Sequence, residues 1–79
     1  MVLHDLLWRY RVRLNAGEVD TDLSDDERGE VSYLLGCAIN ILSMYGSTDR
    51  KTLVRMSIDR QRYSARVCDR VAGIINTTA

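Results

Sequence analysis

Arg55, Arg62, Arg66 and Arg70 stand seven, four and four residues apart. If the segment is one helix, that spacing gathers all four on a single face. Guanidinium groups in such a row suit phosphate, because each offers a planar fork of donors. The chemistry would be capture of a phosphate, a nucleotide or a nucleic-acid backbone. Asp59 and Asp69 share the face and offer the arginines an internal use. Asp59 is three residues from Arg62 and four from Arg55, and Asp69 is three from Arg66. Such pairs form readily on a helix and contribute little when exposed. Arg60 differs from its neighbours. It falls in the apolar arc, between Met56 on one side and Tyr63 and Val67 on the other. A charge in that position must pair or reach water. Glu30 is its expected internal partner, and a carboxylate of another chain or a bound anion is the alternative. Arg55, Arg60, Arg62, Arg66 and Arg70 are therefore the candidates for binding a partner or an anion.

A second arginine set lies near the start. Arg9, Arg11 and Arg13 alternate with Trp8, Tyr10 and Val12, an arrangement that could stack bases and touch phosphates. Glu18, Asp20 and Asp22 follow closely and are the expected counter-charges. The rest of the chemical inventory is thin. His4 is the single histidine, with Asp5 its one polar neighbour. The glycines are dispersed and form no phosphate loop. No nucleophile–base set assembles and no metal-ligand spacing appears. Neither an enzyme nor a cofactor is expected.

Charge is unevenly divided. Residues 1–48 carry four arginines against eight acids, about −4, and residues 49–79 carry six arginines and Lys51 against three aspartates, about +4. The chain is a dipole, so its halves should pair internally or head to tail. Two cysteines and no secretory signal place the expected site of action in the cytoplasm.

These residues have to be held by helices. Ser24-Asp25-Asp26-Glu27 reads as a capping box, and Gly46 suits a helix end. Between them Val31, Leu34, Leu35, Ala38, Ile41, Leu42 and Tyr45 share a face. With Tyr33, Cys37, Ile39 and Met44 the apolar arc widens to about 240°, far beyond a one-sided surface helix. No charged residue lies between Glu30 and Asp49, so this helix should be covered on most sides. Its remaining strip is small or short: Gly29, Ser32, Gly36, Asn40 and Ser43. Either a helix of the same chain lies there, or Gly29, Ser32, Gly36 and Ser43 form an oligomer seam. The apolar runs fall short of the roughly 18 residues of a membrane span.

The N-terminal segment carries two patterns. Leu3, Leu6, Leu7, Tyr10 and Leu14 have helical spacing. Residues 8–14 and 19–23 alternate, and as a β-hairpin would set Arg13 against Asp20 and Arg11 against Asp22. The leucines favour a helix over about residues 2–15, followed by an acidic link. After Gly46 a helix over about 48–75 is expected, capped by Ser47, Thr48 or Asp49. It carries one stripe through Leu53, Met56, Tyr63, Val67, Val71 and Ile74, and a second through Val54, Ile58, Ala65, Cys68, Ala72 and Ile75. A helix-turn-helix is set aside because two long helices leave no short recognition helix. Cys37 and Cys68 would sit at levels about 16 Å apart, too far for a disulfide, and both read as small buried residues.

The expected fold is one all-α domain of 79 residues. A short N-terminal helix packs on a long antiparallel hairpin with arms at about 24–45 and 48–75. Both arms carry arcs too wide for each other, which predicts a homo-oligomer. The expected function is a small, non-enzymatic protein-interaction module of adaptor or inhibitor type. Binding of nucleic acid or a nucleotide by the arginine face is the second reading, and no membrane contact is expected.

Overall fold

The computed structural model describes residues 2–79. Four helices follow in order: α1 (Leu3–Asn15), α2 (Asp25–Tyr45), α3 (Arg50–Ser57) and α4 (Ala65–Thr77). The chain is all-α. Helix α1 packs on a helical hairpin whose first arm is α2 and whose second arm is α3 and α4. Helix α2 touches all three others and forms the centre of the core.

The ends of α2 are set by its sequence. The Ser24 hydroxyl accepts the Glu27 amide at 3.1 Å, and the Glu27 carboxylate accepts the Ser24 amide at 2.9 Å. Both donors would otherwise be orphaned at the helix start. At the other end Gly46 takes a φ of 72° and donates its amide to the Leu42 carbonyl. Val31, Leu34, Leu35, Ala38, Ile39 and Leu42 are buried between these caps.

Residues 3–15 are helical, so the β-hairpin pairing of the alternating segments does not form. Burial decides it: Leu7 and Leu14 are sealed in the core and Leu3 packs against that core, a set that only the helical period brings together. The link back to α2 turns at Gly17, φ 78°, and again at Asp20, φ 54°. It returns Leu23 to the core and packs Val19 against it.

The helix expected over 48–75 is broken. Asp49 caps α3 by accepting the Thr52 amide at 2.8 Å, and the helix ends at Ser57. The turn that follows is made by short polar side chains bonding their own backbone, which competes with helix. The Asp59 carboxylate accepts the Gln61 amide at 3.0 Å, and Ser64 restarts the helix by accepting the Val67 amide at 3.2 Å. The break has a large effect on packing. Leu53 and Ile58 enter the core from α3 and the turn, and Val67, Cys68, Val71, Ile74 and Ile75 enter from α4. Most of both stripes is covered this way, but Met56 stays 49% exposed and Ala65 is exposed as well. The wide arcs that pointed to an oligomer core are thus covered in part within one chain, while Tyr33, Met44, Tyr45 and Met56 stay exposed. Arg50 closes the arm, donating to the carbonyls of Ile75 at 3.0 Å and Thr78 at 2.5 Å.

Candidate interaction surface

The break scatters the arginines that one helix would have aligned. Arg55 is on α3, Arg60 and Arg62 lie in the turn, and Arg66 and Arg70 are on α4. Arg70 is held on two sides by the link. It reaches Asp20 at 2.6 Å and grips Asp22 through both Nη atoms, at 2.5 and 2.9 Å. Asp20 also accepts the Tyr10 hydroxyl at 2.5 Å, and its side chain is only 8% exposed. Arg66 pairs with Glu27 at 3.0 Å and donates to the Asp22 carbonyl at 3.0 Å. The Arg70 hydrogen bond is the main cause that holds the Asp22 carboxyl down to about 2. The same pairs hold Arg70 well above the ordinary guanidinium range. Burial, then the bond to Asp20, pushes the Tyr10 phenol up. Three acids of the first half, Asp20, Asp22 and Glu27, thus meet two arginines of the second, Arg66 and Arg70.

The expected pairings of Arg11 and Arg13 with Asp22 and Asp20, of Arg60 with Glu30, of Arg66 with Asp69, and of Arg55 and Arg62 with Asp59 are not the ones made. Asp20 and Asp22 take Arg70 and Arg66 as partners. Arg11 instead donates its Nε to the Ser32 carbonyl at 2.9 Å. Arg60 pairs with Asp69 at 3.3 Å and is exposed; it does not reach Glu30, because the turn removes it from any helical arc. Asp69 is thereby taken from Arg66. Among the described residues Arg55 and Arg62 form no ion pair. The reason for setting aside a helix-turn-helix also changes, since α3 is short. The connection from Ile58 to Ser64 is longer than the roughly three- to four-residue turn of that motif, and the arginines of α4 are occupied.

The small-residue strip on α2 divides in two. Ser32 is buried and Gly36 half-buried, both under α1. A Cβ on Gly36 would stand 3.4 Å from the Arg11 guanidinium, so the missing side chain lets that arginine cross to Ser32. Gly29 and Ser43 are exposed; a Cβ on Gly29 meets nothing within 4 Å, and Ser43 donates to the Ile39 carbonyl at 3.1 Å.

The surprise is how much of α2 stays open. It was expected to be covered on most sides, yet Tyr33 is 60% and Met44 74% exposed, and Asn40 is exposed between them. Cys37, expected in the core with Cys68, is only half-buried; both thiols are free. On the adjoining flank of α1, Trp8 is 51% and Val12 54% exposed. Trp8, Tyr33, Gly36, Cys37 and Asn40 line a shallow groove of about 280 Å³ between the two helices. This surface was missed in the sequence because lack of charge was read as burial alone.

Among the described residues no three metal-ligating side chains come together, and no helix is long and apolar enough to cross a membrane. No protein-family model, no curated protein and no solved structure matches the chain.

Proposed function

We propose that this chain is a small, non-enzymatic protein-interaction module. It acts through the outer face of α2 and the adjoining flank of α1, as a homo-oligomer in the cytoplasm. One observation carries the reading: the uncharged run Val31–Thr48 presents an open face to solvent, with Tyr33 and Met44 exposed on it and Trp8 and Val12 beside it. The outer face of a surface helix ordinarily carries charge. Aromatic residues and Met with charge depleted are the composition of an interface centre. Helix-on-helix packing supplies the affinity, and the charged residues around the face supply the specificity. The two free thiols are in keeping with a reducing compartment.

The anion-binding reading is second. Arg66 and Arg70 already have carboxylate partners, and Arg60 has one at the surface. Of the five arginines that one helix would have aligned, only Arg55 and Arg62 remain, on separate elements, and two dispersed arginines of that face make a poor track for a phosphate backbone. Mass in solution and Trp8 fluorescence separate the readings, with and without a single-stranded oligonucleotide at low and high salt. Self-association that persists at high salt, with no response to the oligonucleotide, is the expected result. Oligonucleotide binding that falls steeply with salt would overturn it in favour of the anion site.

A further inference from the structure

We infer that the groove between α1 and α4 receives an acidic segment of a partner protein, with Arg9 and Arg13 holding its carboxylates. The groove lies on the other flank of α1 from Trp8 and α2. The inference therefore goes beyond the surface proposed above and stands whether or not the chain self-associates.

The first observation is a displaced set of counter-charges. Arg9 and Arg13 are exposed, and among the described residues neither forms an ion pair. The acids nearest them in sequence are used elsewhere. Asp20 and Asp22 go to Arg70, and Asp5, one turn before Arg9, meets His4 at 3.2 Å. Glu18 is exposed and pairs with neither. Arg11 is spent on the Ser32 carbonyl of α2. Two guanidinium groups are left on one edge, four residues apart, with their Cβ atoms about 6 Å from each other. Acidic residues two apart in an extended segment project to one side at intervals of about 7 Å, which matches.

The second is the groove itself. Helices α1 and α4 both pack on α2 and scarcely on each other. Two open hollows of about 480 and 510 Å³ run between them and share Tyr10, Thr77 and Thr78. Arg9, Arg13 and Leu6 border the first, and Gly73 and Ile74 border the second. An apolar floor of Leu6, the Tyr10 ring and Ile74 thus lies below a basic edge. The walls are held in place: the Tyr10 hydroxyl is tied to Asp20, and Arg50 holds the Thr78 carbonyl. Gly73 keeps the α4 side low, since a Cβ there would meet nothing within 4 Å. A groove already ordered costs a ligand less to occupy.

Edge and floor together select a protein segment over a nucleic acid. A phosphate backbone offers nothing to an apolar floor, and along this groove it would meet Asp69. Trp8, the exposed aromatic suited to stacking a base, is on the other flank. A segment that combines acidic and apolar residues satisfies edge and floor at once, through charge-assisted carboxylate–guanidinium bonds and apolar burial.

The experiment uses the full chain and labelled peptides in which Glu and Leu alternate or recur at helical spacing, read by fluorescence anisotropy. Peptides with Lys in place of Glu, and a single-stranded oligonucleotide, are the controls. The expected result is saturable binding of an acidic peptide and none of its Lys counterpart. Arg9→Gln combined with Arg13→Gln should weaken binding about tenfold and leave the helical circular-dichroism signal unchanged, because both side chains are exposed and unpaired. Gly73→Leu fills the groove from α4 and leaves every charge in place. It should weaken binding by a similar factor, whereas a diffuse attraction to positive charge would not respond to it. Absence of binding by every acidic peptide overturns the inference, as does binding that ignores either variant. Tighter binding of the oligonucleotide, lost with the two arginines, overturns it in favour of a phosphate ligand.

Discussion

Two sides of this molecule differ in what their charges do. Along α4 and the link, Asp20, Asp22 and Glu27 meet Arg70 and Arg66. On the outer face of α2 there is no charge from Val31 to Thr48, and large side chains stand in solvent. The side richest in functional groups is the one already satisfied; the side with the least chemistry is the open one. A row of arginines suggests a ligand only while its acids are elsewhere. Here the acids arrive from a part of the chain more than forty residues away, Asp22 reaching Arg66 and Arg70.

The contrast can be broken from the charged side first. Arg70→Ala leaves Asp20 and Asp22 without their cation and should cost about 2–3 kcal/mol at neutral pH, read from urea unfolding. A loss below about 0.5 kcal/mol would mean the cluster is surface decoration. Ser64→Ala removes the cap that restarts the helix and should cost about 1 kcal/mol. No loss would mean that packing of Ile58 and Val67 alone holds the break.

Acid tests the same cluster without mutation. Asp22 titrates at about 2 in the folded chain, below the ordinary aspartate value of about 3.9. The unfolded chain therefore takes up this proton first. The stabilisation is complete above about pH 4 and is lost as pH falls toward 2. Glu27 and Asp49 are also lowered, chiefly by their backbone capping bonds, and act in the same direction. Thermal melts should be insensitive to these carboxylates between pH 7 and 5 and fall steeply below 4. In Arg70→Ala the acid-dependent part should shrink. The smallest stability effect belongs to the open side. Tyr33→Glu should shift unfolding by no more than about 0.5 kcal/mol and still abolish most self-association. A large loss of stability would show Tyr33 to be a packing residue.

The elements differ in how far their sequences could be read. The limits of α2 were legible because they depend on contacts within three or four residues, Ser24 with Glu27 and Gly46 with Leu42. The N-terminal helix was legible in the spacing of Leu3, Leu7, Tyr10 and Leu14, though the alternation of Trp8 to Leu14 spoke for a strand with almost equal force. The break at Ile58–Ser64 was not anticipated. Its local signals, Asp59 and Ser64, were present but were outweighed by an apolar period that ran on across them. The period persists because both halves of the arm face the same core from different directions.

The sequence by itself determined the helical class, the caps of α2 and the need for its acidic and basic halves to meet. These depend on nearest-neighbour hydrogen bonds, on apolar spacing and on net charge, all written along the chain. Only the tertiary structure decided which acid meets which arginine, that Arg60 stands in solvent, and that α2 keeps an open face. Those outcomes depend on the break between α3 and α4 and on where α1 lies on α2, which contacts between residues far apart in the chain set and no local rule specifies.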